Sequence, residues 1–186
     1  MKRAVFLDRD GVINETMVLD GRPVAPASVD AVQLRPGVEE ALEALRRAGF
    51  LLIVVTNQPD VGKGLVRREA VETIHAALRR RLPLDDLKVC YHVDADGCAC
   101  RKPKPGLLLE AARERGIDLG QSVMVGDRWR DIEAGRAAGC RTVLVRASYD
   151  ERPAERPDAA VDSLSEASAW ILASRSAAVS HAEVSR

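Results

Sequence analysis

The feature that most constrains this chain is a series of short apolar runs separated by stretches of helical periodicity. Ala4-Val5-Phe6-Leu7, Leu51-Leu52-Ile53-Val54-Val55, Leu87 to Tyr91, Ser122-Val123-Met124-Val125 and residues 142–145 read as strands, several of them apolar enough to be buried on both faces. Between them, apolar residues recur at three- and four-residue steps. Val38, Ala41, Leu42, Leu45 and Ala48 share one helical face, and Val71, Ile74, Ala77 and Leu78 share another within a helix over 67–81. Further helices are expected over 105–115 and 129–138. Pro36 and Gly49 bracket the first helix, and Pro105 and Gly116 bracket the third. Ser163-Leu164-Ser165-Glu166 is a capping-box pattern that opens a last helix, expected to end near Leu172.

This alternation predicts an α/β fold in three layers, with a central parallel sheet and helices on both of its faces. The 186 residues suffice for one full core. One domain is expected over 1–173, with an irregular flap over 12–34 and no segment large enough for a separate cap. Residues 174–186 are small and polar and read as a disordered tail. Lysine plus arginine, 28, equals aspartate plus glutamate, 28, so no bulk cationic field invites nucleic acid. The arginines on the outer face of 67–81 read as a solvated surface. No run of about 18 apolar residues is present, so no membrane span is expected. Met1-Lys2-Arg3 enters a strand without a signal-like segment, so a cytoplasmic monomer acting on a small molecule is the expectation.

Chemistry-bearing residues follow three of the apolar runs. Asp8-Arg9-Asp10-Gly11 follows the first, Thr56-Asn57-Gln58 the second, and Gly126-Asp127, with Asp131 four residues on, the fourth. Arg101-Lys102-Pro103 precedes the third helix. Strand ends are where an open parallel sheet places its ligands. Taken singly, each element also fits a plain turn, a surface lysine or a helix cap. A separate cluster, Cys90-x-His92-x5-Cys98-x-Cys100, offers three thiolates and an imidazole from one loop, a full tetrahedral set for structural zinc. A disulfide is the alternative; a reducing compartment, and a His92 left without purpose, weigh against it. Cys140 reads as a small buried residue.

The order of acid pair, hydroxyl and amide, lysine and second acid pair covers nearly all of residues 4–146. It resembles the haloacid dehalogenase (HAD) superfamily of phosphotransferases, which implies a Rossmann-like three-layer fold. Asp8-Arg9-Asp10-Gly11-Val12-Ile13-Asn14, Thr56-Asn57-Gln58 and Cys98-Ala99-Cys100-Arg101-Lys102-Pro103 together look like the D-glycero-D-manno-heptose 1,7-bisphosphate 7-phosphatases. Histidinol-phosphate phosphatases are close relatives. The resemblance implies a phosphatase that uses Mg²⁺ and a structural Zn²⁺. Asp8 would be the nucleophile, Asp10 the acid and base, and Asp8, Asp127 and the Asp10 carbonyl the Mg²⁺ ligands. Lys102 and Thr56 would hold the phosphoryl oxygens, Asn57 and Arg101 would contact substrate, and Asp131 would orient Lys102 or metal water. Pro59-Asp60 departs from the family, whose better-known members carry Ser-Gly there. A nucleic-acid 3′-phosphatase and a zinc-stabilised interaction module are the remaining readings. Neutral charge opposes the first, and the presence of Asp8, Asp10, Lys102 and Asp127 opposes the second.

Overall fold

The computed structural model describes residues 1–184. Among these, the elements run β1 (Arg3–Leu7), β2 (Met17–Leu19), β3 (Arg22–Val24), α1 (Val38–Arg47), β4 (Phe50–Asn57), α2 (Pro59–Gly62), α3 (Arg68–Arg81), β5 (Asp86–Cys90), α4 (Gly106–Arg115), β6 (Val123–Gly126), α5 (Trp129–Ala138), β7 (Arg141–Val145), β8 (Ala159–Val161) and α6 (Leu164–Val184). Six strands form one parallel sheet in the order β5-β4-β1-β6-β7-β8. The chain winds outward from β1 through β4 to β5, then returns through β6 to β7 and β8. The strand order therefore reverses between β1 and β6, which opens a crevice at their carboxyl ends.

The central strands lack polar alternation because both faces are covered. Val5 and Leu7 of β1 pack with α1, α3 and α6 residues such as Leu42, Ile74 and Ile171. Ala4 and Phe6 face the other way, against Leu108 and Ala111 of α4 and Ala134 of α5. Helix α1 buries Val38, Ala41, Leu42 and Leu45. Truncating fully buried Leu42 to alanine would cost about 2–5 kcal/mol, a large part of a typical domain's stability. Burial of these stripes, more than helix propensity, therefore holds the layers together.

Three features differ from the sequence expectation. Within the flap, Met17–Leu19 and Arg22–Val24 pair as a small antiparallel hairpin, where irregular chain was expected. Its strands are too short, and too exposed at Met17, Val18 and Leu19, to leave a burial period in the sequence. Strand β8 was not expected, because Ala159-Ala160-Val161 is short and poor in β-branched residues; its pairing with Val143–Val145 creates it. Helix α6 runs past Leu172 to Val184, so most of the expected disordered tail is helical. Residues 173–184 hold alanine and no glycine or proline, so nothing in the chain stops the helix. Residues 185–186 lie outside the described part.

Candidate active site

The crevice collects residues from four places in the chain. Asp8 leaves β1 with its N–H bonded to the Val125 carbonyl of β6 at 2.9 Å. Gly11 turns the chain at φ 81°, and a Cβ there would overlap the Asp127 carboxylate, so only glycine fits that close approach. On the far side, Gly126 lets Asp131 of α5 fold back, since a Cβ at Gly126 would lie 2.1 Å from that of Asp131.

Lys102 sits at the centre and is almost wholly buried. Its Nζ donates to the Val55 carbonyl at 2.8 Å, Asp8 Oδ1 at 2.9 Å and Asp131 Oδ1 at 2.5 Å. These three acceptors match the three N–H bonds of an ammonium. Asp131 Oδ2 accepts the Arg128 N–H at 3.0 Å, so both oxygens of Asp131 are engaged. Burial works against the charge on Lys102, but Asp131 and Asp8 outweigh it and raise its pKa.

Ligand oxygens of Asp8, Asp127 and Asp131 come within 4.8 Å of one another. Three carboxylates against one ammonium leave a formal charge of −2 in a buried site. The strain registers in protonation. Asp8 is pushed up to about 6, chiefly by burial, which Lys102 offsets in part and which Asp131 and Asp10 reinforce. Asp127 is held well above the usual carboxylate range by burial and then by Asp8 and Asp131. Tyr149 donates its hydroxyl to Asp127 Oδ2 at 2.5 Å. Asp127 Oδ1 is buried with no hydrogen-bond partner among the described residues. An oxygen-rich donor set, a charge of −2 and an orphaned oxygen fit a hard divalent cation.

Asp10 is held apart from this cluster. Its Oδ1 accepts from Arg9 Nε at 3.0 Å and Asn14 Nδ2 at 2.9 Å. Its Oδ2 accepts from Arg9 Nη2 at 2.9 Å and Gln58 Nε2 at 2.8 Å. Gln58 Nε2 also lies 2.9 Å from Thr56 Oγ1, which ties Thr56 to the same network. Four donors thus fix the orientation of the Asp10 carboxylate, and its carbonyl remains available to a metal.

Asn57 brackets Lys102. Its Oδ1 accepts the Lys102 N–H and its Nδ2 donates to the Lys102 carbonyl, both at 3.1 Å. Its side chain therefore holds the lysine backbone in place. Arg101 donates to Asp94 at 2.7 Å, while its Nη1 is buried without a partner among the described residues. The cavity above these groups measures about 540 Å³ and is walled by Arg22, Lys63, Arg101, Arg128 and Arg130. Pro59 and Asp60 also line it, with Asp60 bonded to Lys63 at 2.9 Å.

At the end of β5, Cys90, His92, Cys98 and Cys100 converge within 4.8 Å. Their sulfurs are 3.1 to 3.7 Å apart, and His92 Nδ1 lies 3.3 and 3.5 Å from two of them. A disulfide needs about 2.05 Å, and all four cysteines of the chain are free thiols. A tetrahedron with arms of about 2.3 Å has edges near 3.8 Å, close to these spacings. Cys140 lies elsewhere, buried, with its thiol pushed up to about 12 by that burial.

Sequence reasoning assigned no role to Arg9, Asn14, Gln58, His75 or Tyr149. Arg9 and Gln58 lie inside quoted motifs, so their position was a usable signal. Tyr149 lies in a loop with no local pattern pointing to Asp127.

A parallel sheet with an acid pair after its central strand, a facing lysine and a second acid pair just after the neighbouring strand defines a HAD-type hydrolase domain. Residues 99–167 match the family model described as HAD-hyrolase-like. The D-glycero-beta-D-manno-heptose-1,7-bisphosphate 7-phosphatase of Pasteurella multocida is 39% identical over 78% of this chain and 83% of its own length. The enzyme of the same name from Photorhabdus laumondii is 40% identical over 77% of this chain and 80% of its own. The crystal structure of D,D-heptose 1.7-bisphosphate phosphatase from B. bronchiseptica, complexed with magnesium and phosphate, superposes with a TM-score of 0.78 at 30% identity, covering 94% of this chain and 99% of that one. The chain belongs to the family of the D-glycero-beta-D-manno-heptose-1,7-bisphosphate 7-phosphatases.

Proposed function

We propose that this chain removes the 7-phosphate of D-glycero-D-manno-heptose 1,7-bisphosphate by way of an aspartyl-phosphate on Asp8. The observation that carries the reading is the buried Asp8–Lys102–Asp131–Asp127 cluster with its formal charge of −2, beside an Asp10 held by four donors. The named relatives point to the same substrate.

The Asp8 and Asp127 carboxylates and the Asp10 carbonyl would hold Mg²⁺, with Asp131 beside them. When bound, that ion neutralises the cluster and the incoming phosphate, whose mutual repulsion would otherwise bar attack. Asp8 attacks phosphorus in line, and the sugar oxygen leaves. Asp10, carrying a proton in place of one of its four donors, gives that proton to the leaving oxygen, then takes one from the water that hydrolyses the acyl phosphate, so the enzyme ends as it began. Lys102 balances Asp8, and it reaches a phosphoryl oxygen by exchanging one of its three present acceptors. Thr56, at the end of β4, serves the same oxygens. Arg101, with its unpaired N–H, and the other cations of the cavity wall suit a second phosphate on the substrate. Asn57 acts through the Lys102 backbone.

The four-residue sulfur cluster is proposed to hold one structural Zn²⁺. Cys100 lies two residues before Lys102, so metal in the loop would also set the lysine.

The test is phosphate release by purified protein from the α and β anomers of the heptose bisphosphate and from histidinol phosphate, with and without chelator. Mg²⁺-dependent release from a heptose bisphosphate at well above the histidinol phosphate rate is expected. Preference for histidinol phosphate would replace the substrate and leave the chemistry standing.

A further inference from the structure

We propose that His75 is a positioning residue that holds Arg9 and, through Arg9, the acid/base carboxylate of Asp10. The inference rests on the role given to Asp10 above and adds a residue from α3 to it.

Arg9 is the largest fully buried side chain of the described residues. A buried guanidinium is tolerated only where its N–H groups find acceptors. Two of them form a fork onto the Asp10 carboxylate, at 3.0 and 2.9 Å. A third, on Nη1, points at His75 Nε2, 2.9 Å away. Arginine cannot accept a hydrogen bond, so Nε2 must, and the imidazole proton must reside on Nδ1. That assignment requires a neutral ring.

His75 sits on the inward face of α3 with Val71, Ile74 and Leu78, where helical periodicity calls for an aliphatic side chain. It is 3% exposed. Its Nδ1 has no hydrogen bond among the described residues, and the nearest carboxylate, Glu72, lies 3.8 Å away. Among the described residues, the Arg9 bond is therefore the hydrogen bond that accounts for an imidazole at this place. The consequence is geometric. The fork is planar, so rotation of the guanidinium turns the Asp10 carboxylate with it, away from the leaving oxygen. Asn14 and Gln58 each still hold one oxygen of Asp10. Loss of His75 should thus loosen the carboxylate and slow turnover without abolishing it.

The test compares His75→Gln, His75→Asn and His75→Leu. The glutamine amide reaches the place of Nε2 and can accept from Arg9. The asparagine amide reaches only the place of Nδ1 and cannot, although it is equally polar. Asparagine thus remains informative if the leucine variant fails to fold. With D-glycero-D-manno-heptose 1,7-bisphosphate, His75→Asn is expected to lose about 10–100-fold in kcat with KM little changed. His75→Gln should stay within about 3-fold of wild type. First-turnover release of nitrophenolate from p-nitrophenyl phosphate should fall much less in His75→Asn, because nitrophenolate leaves without a proton. Equal losses in the glutamine and asparagine variants, or equal losses on both substrates, would reduce His75 to a packing residue and overturn the proposal. If wild type released phosphate from neither substrate, the reading of the site itself would fall, which is a separate outcome.

Discussion

The carboxylate–lysine cluster and the sulfur cluster both lie at the carboxyl ends of the sheet's strands and are built in opposite ways. Asp8, Lys102, Asp127 and Asp131 are brought together from distant parts of the chain, and they exist as a site only once β1, β4 and β6 are paired. Cys90, His92, Cys98 and Cys100 come from a single segment at the end of β5. The first set is hard, oxygen-rich and formally at −2 when all three carboxylates are ionised, with Asp8 pushed up to about 6, chiefly by burial. The second is soft and already spaced like a tetrahedron. The difference teaches a division of labour. On the proposed function, unbalanced charge is kept where a phosphate and a divalent ion must arrive and leave, and a closed thiolate site would suit a fixed ion whose task is to hold chain in place. The two meet at Arg101-Lys102, which directly follow Cys100 in the chain.

The comparison breaks most sharply at Asp8. Asp8→Asn keeps size and removes the nucleophile, so kcat should fall by more than about 10⁴-fold with the fold retained. Rates within a few-fold of wild type in carefully purified protein would remove the covalent mechanism. Asp10→Asn should lose about 10²–10⁴-fold, the usual worth of proton transfer. Asp127→Ala should raise the Mg²⁺ concentration for half-maximal activity by about 10-fold or more, while leaving zinc content intact. An unchanged Mg²⁺ titration would place the ion elsewhere.

The sulfur cluster should respond in the opposite order, with stability first and rate second. Cys98→Ser should lose the bound zinc, expected at about one per chain. Tm should drop by about 5–10 °C, which corresponds to a loss on the order of 2–3 kcal/mol. Its kcat should fall more modestly, through displaced Lys102. Cys140→Ser should change neither zinc nor rate. Equal zinc loss in both variants would refute the loop assignment.

A pH-dependent effect on stability concerns His75, whose pKa is lowered to about 4, chiefly by burial, then by Arg9, with Glu72 and Asp10 acting against the shift and Arg79 with it. The unfolded chain takes up this proton near pH 6.5 and the folded one only near pH 4. Stability from this group is therefore complete above about pH 6.5 and is lost as pH falls toward 4, by about 3 kcal/mol at most. Denaturant unfolding of His75→Gln should show a flatter slope than wild type between those values. Parallel curves would mean that the ring titrates normally in the fold.

What was legible in the sequence follows the same division. The sulfur cluster could be read from spacing alone, because its donors are local. The convergence of Asp8, Asp127 and Lys102 could be read because each stands beside a strand or helix boundary marked by an apolar run or a proline. Asn57 lines the cavity, and its side chain also brackets the Lys102 backbone, a contact between residues 45 apart that no local pattern encodes. Arg9 and His75, 66 apart, illustrate the same limit. Strand β8 and the 17–24 hairpin escaped because three-residue strands carry no measurable period.

The claim that joins these parts is that the oxygen cluster does chemistry at the sugar's C7 phosphate while the anomeric phosphate is only bound. Phosphorus NMR of the heptose 1,7-bisphosphate reaction, in protein loaded with zinc and supplied with Mg²⁺, tests it directly. The account predicts that the C7 phosphomonoester resonance disappears as inorganic phosphate grows, while the C1 resonance persists. Loss of the C1 resonance first, or no change in either in the presence of Mg²⁺, would contradict it.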